Sequence, residues 1–406
     1  MAQGLGTNLV YLALIFALIV IPRALQRIRL PAPLTSVALG LSAATLLGAT
    51  SHDPVLTLLS TLGISSLFLF AGLEVDLQSL WRGRWPLLAH LALRSVVVAG
   101  ATVLAMRYGK YPWNTATLLA LALLTPSTGF ILESLPSLGL NKDECQWVRL
   151  KAIGGEILAL LALFIVLQAD SIPHLGLSTA AVLAMILGIP LLFRGLVSVI
   201  VPYAPGAEFS LLVMVGLIAA YITDYLGVHF LVGAFIAGFV ARMLRRRLPG
   251  LASDDNLHAI QLFASFFVPF YFFYTGMTVP LAALSLPALK LGMLLSAVVI
   301  PIRIAVVWGQ RRFLKGESAM ASLRVATALT PTLIFTMVLA TILRERYRLS
   351  DDYFGALLVY AAATTLLPSI LLAKPADFAV TWPAESMRGE RLPAGTGDET
   401  VVGQDM

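Results

Sequence analysis

Glu156 is the residue whose setting most invites chemistry. It lies in Lys151-Ala152-Ile153-Gly154-Gly155-Glu156-Ile157-Leu158-Ala159-Leu160, after two glycines and before an uninterrupted apolar run. An acid at the centre of a membrane span costs about 2.5–3.5 kcal/mol on insertion scales, so such a residue is a functional hypothesis by default. A carboxylate there can be neutralised by a proton or by a cation, and trading one for the other is exchange chemistry. Gly154 and Gly155 leave room for close approach of another backbone. The plainer alternative is an interfacial Glu156 paired with Lys151 or Arg149.

Two further sites interrupt apolar stretches. Thr125-Pro126-Ser127-Thr128-Gly129 and Thr330-Pro331-Thr332 each place a proline in mid-span. Proline removes a backbone donor and clashes with the preceding turn. The flanking Thr125, Ser127, Thr128, Thr330 and Thr332 hydroxyls can satisfy freed carbonyls or bind an ion. A tolerated kink is the alternative for either proline alone. Arg94 and Arg303 also sit in mid-span. Each needs a carboxylate or the exposed carbonyls of a helix end. A guanidinium stays charged, so these residues read as structural counter-charges and not as proton carriers. Glu74, Asp76, Glu133, Glu208 and Asp224 fall near span ends, where solvation accounts for them. The histidines are scattered, and no His or Cys pair at ligand spacing, phosphate loop or nucleophile–base pair is present. Neither a metal centre, a cofactor nor a hydrolytic enzyme is expected.

The elements that must position these residues are membrane helices. The chain is 58% apolar and only 12% charged, against roughly 45–50% and about 25% for soluble domains. Apolar stretches of about 20 residues, enough to cross the hydrocarbon core, recur throughout. They lack the alternation of barrel strands. Thirteen spans are predicted near 5–22, 33–50, 54–73, 86–106, 113–135, 147–168, 174–193, 207–225, 227–243, 257–278, 284–309, 318–343 and 353–373. Residues 1–373 thus form an all-α polytopic membrane domain, and 374–406 read as a disordered cytoplasmic tail. The first stretch reads as a retained helix, not a cleaved signal. Cys145 is the only cysteine, so the chain forms no internal disulfide. The net charge of +6 lies in short loops, which argues for membrane topology and against nucleic acid. With the N-terminus outside and the C-terminus cytoplasmic, inside segments hold nineteen basic residues and outside loops six. Arg344–Arg348 is the cluster that runs against this orientation. Arg242–Arg247 reads as a cytoplasmic loop or a contact to anionic membrane lipid.

The chain also repeats itself. Phe68-Leu69-Phe70-Ala71-Gly72-Leu73-Glu74-Val75-Asp76-Leu77 matches Phe272-Phe273-Tyr274-Thr275-Gly276-Met277-Thr278-Val279-Pro280-Leu281 at an offset of 204. Leu124-Thr125-Pro126-Ser127 matches Leu329-Thr330-Pro331-Thr332 at 205, and Arg94 matches Arg303 at 209. Repeats of roughly 33–168 and 227–373 follow, shifted by seven spans. Seven is odd, so the copies cross the membrane in opposite senses. That is an inverted-topology repeat with paired broken helices crossing near the middle, an arrangement of secondary transporters.

These motifs resemble the monovalent cation:proton antiporter family, on the sodium/hydrogen exchanger fold. They resemble especially the branch with the glutathione-gated potassium efflux antiporters. Leu67 to Asp76 looks like that family's FxxGLExD stretch, Leu231-Val232-Gly233-Ala234-Phe235-Ile236-Ala237-Gly238 its LGAFxAG helix, and Phe273-Tyr274-Thr275-Gly276-Met277 its FFxxxGM stretch. The resemblance covers roughly residues 8–373 and implies a homodimer whose mobile core moves like an elevator. It places the family's ion-binding aspartate on Glu156, the neighbouring Asp, Asn or Gln on Gly155, and the intramembrane Lys or Arg on Arg303. The family's second-repeat acid is missing near Thr332. No nucleotide-binding domain follows, so glutathione-type gating is not implied.

The expected activity is secondary active exchange of Na+ or K+ for H+ across a bacterial-type inner membrane, electroneutral because one carboxylate serves both ions. Two other classes remain compatible with the sequence. One is a sodium-coupled organic-anion symporter on the same fold. The other is a non-transporting membrane sensor or scaffold, favoured by the altered Gly155-Glu156 pair.

Overall fold

A computed structural model describes residues 2–46, 53–169 and 172–372. The expected tail 374–406 lies outside the described residues. In chain order the helices are α1 Ala2–Gln26, α2 Ala32–Leu46, α3 Pro54–Leu73, α4 Leu77–Arg82, α5 Arg84–Gly109, α6 Trp113–Leu124, α7 Thr128–Ser134 and α8 Lys142–Gln168. They continue as α9 Ile172–Ile200, α10 Glu208–Tyr225, α11 Phe230–Met243, α12 Asp254–Met277, α13 Leu286–Lys315, α14 Ala319–Ala328, α15 Leu333–Tyr347 and α16 Asp351–Leu371. Short 3₁₀ turns at 135–138, 244–246 and 281–284 complete the described secondary structure, which contains no strand.

Ten of the described spans are long and apolar enough to cross a membrane, the first broken helix counting as one, and the bent α14–α15 pair brings the number to eleven. α2 and α11 stand where two more spans are expected, but they are 15 and 14 residues long. At 1.5 Å per residue the described lengths fall short of a core of about 30 Å. The count of thirteen is therefore not met by length.

Local signals set the helix starts. Asp53 caps α3 by accepting from the amides of Val55 at 2.8 Å and Leu56 at 3.2 Å. Asn141 and Glu144 form a reciprocal capping box at the start of α8. Ser253, Ser285 and Ser318 cap α12, α13 and α14.

The repeat is visible in how helices meet. A Cβ built on Gly72 of α3 would stand 2.2 Å from the Phe235 carbonyl oxygen of α11, and one on Gly238 of α11 would stand 2.1 Å from the Leu69 oxygen. The same pair recurs between α12 and α2: Gly276 faces the Val37 oxygen at 2.2 Å, and Gly40 the Phe273 oxygen at 1.9 Å. Backbone meets backbone at both seams, a packing that small residues permit in membranes. Gly72→Ala is accordingly expected to destabilise by about 1–3 kcal/mol through overpacking. Gly195→Ala is the contrast, because nothing lies within 4 Å of its added methyl. There the better helix propensity of alanine should stabilise by up to about 1 kcal/mol. Thermal melting of both variants in detergent checks the opposite signs.

Candidate functional site

The prolines break their helices as expected. α6 ends at Leu124, Thr125 and Ser127 are extended, and α7 begins at Thr128. In the second copy α14 ends at Ala328 and α15 begins at Leu333, the two halves meeting at 44°. The breaks touch. The Ser127 amide donates to the Pro331 carbonyl at 2.8 Å. The Ser127 hydroxyl oxygen accepts from the amides of Ile334 at 2.9 Å and Phe335 at 3.3 Å, so the first copy's serine caps the second copy's half-helix. Thr336 returns the contact, its hydroxyl donating to the Ala122 carbonyl at 2.6 Å.

Each arginine serves the break of its own copy. Arg94 on α5 donates to the Leu124 carbonyl at 2.7 Å. Arg303 on α13 donates to the carbonyls of Thr330 at 2.7 Å and Leu329 at 3.0 Å, and to the Tyr360 hydroxyl at 3.1 Å. A helix C-terminus carries about half a negative charge and four unpaired carbonyls, which a guanidinium can answer on both counts. Tyr360 then donates to the Leu123 carbonyl at 2.5 Å, tying α16 to the first copy's break. Sequence reasoning passed over Tyr360. The usable signal was a tyrosine in mid-span, whose hydroxyl needs a buried partner.

Glu156 is buried, at 3% exposure. Thr128 and the Arg94 guanidinium lie close enough to act on its carboxyl, yet its Oε2 closes no hydrogen bond. The Thr125 and Thr128 hydroxyls are likewise buried without a partner. Thr330 and Thr332 are used differently: Thr330 donates to Thr327 and Thr364 carbonyls at 2.7 and 3.2 Å, and Thr332 shares a hydrogen bond with the Thr364 hydroxyl at 3.0 Å. The interfacial pairings open to Glu156 are taken elsewhere. Lys151 donates to Gln310 at 2.9 Å, and Gln310 also meets His90 at 2.8 Å. Arg149 pairs with Glu74 at 3.2 Å. Glu133 and Asp224 are exposed. Among the described residues no group of three His, Cys, Asp or Glu side chains could hold a metal ion.

Residues 12–375 match the family model described as sodium/hydrogen exchanger, transmembrane. The chain belongs to the sodium/hydrogen exchanger family. It is a secondary transporter of the cation:proton antiporter kind, not an enzyme. Its fold is also similar to that of the sodium proton antiporter MjNhaP1 from Methanocaldococcus jannaschii, with a TM-score of 0.64 and 14% identity over 91% of this chain and 96% of that one.

A sodium/hydrogen exchanger needs a route to its site from either side. A cavity of about 840 Å³ is lined by Glu74, Asp76, Arg149, Leu150 and Ile153. Another, of about 500 Å³, is lined by Ile64, Leu167, Thr275, Val338 and Arg346. They lie towards opposite ends of α8. Ile153 is three residues from Glu156, about 4.5 Å along the axis, whereas Leu167 is eleven away, about 16 Å.

Proposed function

We propose that this antiporter binds a monovalent cation, Na+ or K+, and a proton in turn at Glu156. The observation that carries the reading is the trio of buried, unpartnered oxygens: Glu156 Oε2, Thr125 Oγ1 and Thr128 Oγ1. Buried polar groups are almost always hydrogen-bonded, and orphans call for an explanation. Oxygens are the ligands that hard cations choose. Ser127, Thr330 and Thr332 frame the crossing, and Arg303 neutralises carbonyl ends.

With one carboxylate and one cation site, the simplest cycle exchanges one proton for one cation and moves no net charge. Alternating access follows if the crossing moves as a core between the two vestibules, in the manner of an elevator. The unequal distances from Glu156 to those vestibules favour the larger one as the open side. Helices with mostly uncovered apolar windows, such as α5 and α13 at 11% buried, leave surface for lipid or for the second copy of a homodimer. The inner membrane, with the N-terminus outside and the C-terminus cytoplasmic, is the orientation the nineteen-to-six basic bias supports. The adverse cluster is partly engaged locally: Arg344 pairs with Asp351 at 2.9 Å, and Arg346 donates to the Leu167 carbonyl at 3.0 Å.

The test is exchange in proteoliposomes carrying a pH-sensitive dye. A potassium–valinomycin potential is imposed on sodium-dependent exchange, after potassium has been ruled out as a substrate. The rate and end-point are expected to ignore the voltage, with the pH gradient alone supplying about 1.4 kcal/mol per unit. A voltage-dependent end-point would require a second proton carrier. No exchange with any alkali cation would favour the sensor or scaffold. Competition also fixes the pH dependence. Protonating Glu156 removes the charge that holds the cation, so the apparent KM rises as pH falls, approaching about tenfold per unit once the protonated form dominates.

A further inference from the structure

Glycine at position 155 is explained by what lies over it. A Cβ built there would stand 2.5 Å from Arg94 Nη1, 3.0 Å from Cζ and 3.5 Å from Nε. The guanidinium therefore occupies the volume that any side chain at 155 would enter, directly beside Glu156. It is held there by its bond to the Leu124 carbonyl at 2.7 Å. Its charge and that of Glu156 act on each other. Arg303, the counterpart in the other repeat, has a different position, with both guanidinium nitrogens of its fork engaged by Thr330, Leu329 and Tyr360.

We infer that Arg94 is a resident cation of the exchange site: a positioning and specificity-determining residue that competes with the transported ion for Glu156. This rests on the reading of Glu156 as the exchange site. A single carboxylate cannot neutralise a guanidinium and a metal ion together. An arriving cation must therefore loosen the Arg94–Glu156 interaction, and its affinity is lowered by that competition. Arg94 has somewhere to retreat. A cavity of about 50 Å³, room for a water, is lined by Arg94, Arg303, His90, Val97 and Pro126. Arg303 lines the same cavity and its like charge opposes that of Arg94, which favours the guanidinium's return to Glu156 once the ion has left. Alternating ion binding and guanidinium return fit a site that holds its cargo weakly and releases it quickly.

The test reads cation binding without turnover, as the rise in Tm of the detergent-solubilised full chain during separate Na+ and K+ titrations. Arg94→Gln keeps a polar side chain and removes the charge. Losing one charge from a buried pair changes affinity by about tenfold or more, so Arg94→Gln should bind the cation that much more tightly. Arg94→Lys, which keeps the charge, should lie closer to wild type than to Arg94→Gln. Gly155→Ala, whose methyl displaces the guanidinium, should tighten binding in the same direction and add nothing in the Arg94→Gln background. A stabilising shift that appears only in the variants, with none in wild type, equally supports the inference. It is overturned if Arg94→Gln binds no more tightly than wild type, if neither chain responds to any cation, or if the two substitutions act independently. Should Arg94→Gln lose monodispersity, Gly155→Ala against wild type decides alone. Failure of the Glu156 reading has its own signature, a cation response that survives Glu156→Gln. Failure of the Arg94 inference leaves a response that needs Glu156 and ignores Arg94.

Discussion

Glu156→Gln is expected to reduce cation-driven proton movement to the level of protein-free liposomes while the protein still folds. The amide matches the carboxyl in size, so packing around α8 is kept. It can neither take up a proton at working pH nor offer a negative charge to a cation, so both half-reactions are lost together. The substitution takes the carboxylate from the Arg94 guanidinium but leaves that side chain its bond to the Leu124 carbonyl, so the variant should fold with a lowered Tm. Glu156→Asp keeps the charge with one methylene fewer and should retain partial exchange. The measurement is the dye response to an imposed sodium gradient at matched protein content. Wild-type exchange by Glu156→Gln would remove this residue from the mechanism.

Arg303→Met should produce the largest loss of stability among single substitutions at the crossing. It deletes the donors to the Thr330 and Leu329 carbonyls and to the Tyr360 hydroxyl. Two buried carbonyls left unpaired cost about 1–3 kcal/mol each, and the half-helix end loses its counter-charge. A marginal fold is sensitive to a loss of that order, so the Tm in detergent should fall sharply. Arg303→Lys should lie between, because an ammonium is a point donor and cannot reproduce the planar fork. An unchanged Tm for Arg303→Met would mean that the carbonyl ends are satisfied by other groups.

Much of this arrangement was legible in the chain because it depends on local chemistry. Prolines in apolar stretches have to break helices, so Pro126 and Pro331 located the crossing. Arginines in mid-span have to find acceptors, so Arg94 and Arg303 pointed to the broken ends. A near-constant offset between copies gave the inverted repeat. What stayed hidden depends on which way side chains face once helices pack. Thr330 and Thr332 have the same composition and proline spacing as Thr125 and Ser127, yet their hydroxyls turn to Thr364 on α16. The same limit hid the Lys151–Gln310–His90 cluster, which joins α8, α13 and α5 across long sequence separations. The count of thirteen spans is not confirmed for a different reason: hydropathy marks apolar stretches, but α11 shows that a helix can end before it is long enough to cross.

The bonds between the two breaks have a consequence for motion. The Ser127 amide and hydroxyl hold Pro331, Ile334 and Phe335 of the other copy, and the Thr336 hydroxyl holds Ala122. Pulling one break away from the other would cost all of these buried bonds at once, each worth about 0.5–1.5 kcal/mol. Rearrangement of the transporter should therefore carry the crossing as a single block. Spin labels on α7 and α15 should keep one separation in every state, however far that block travels.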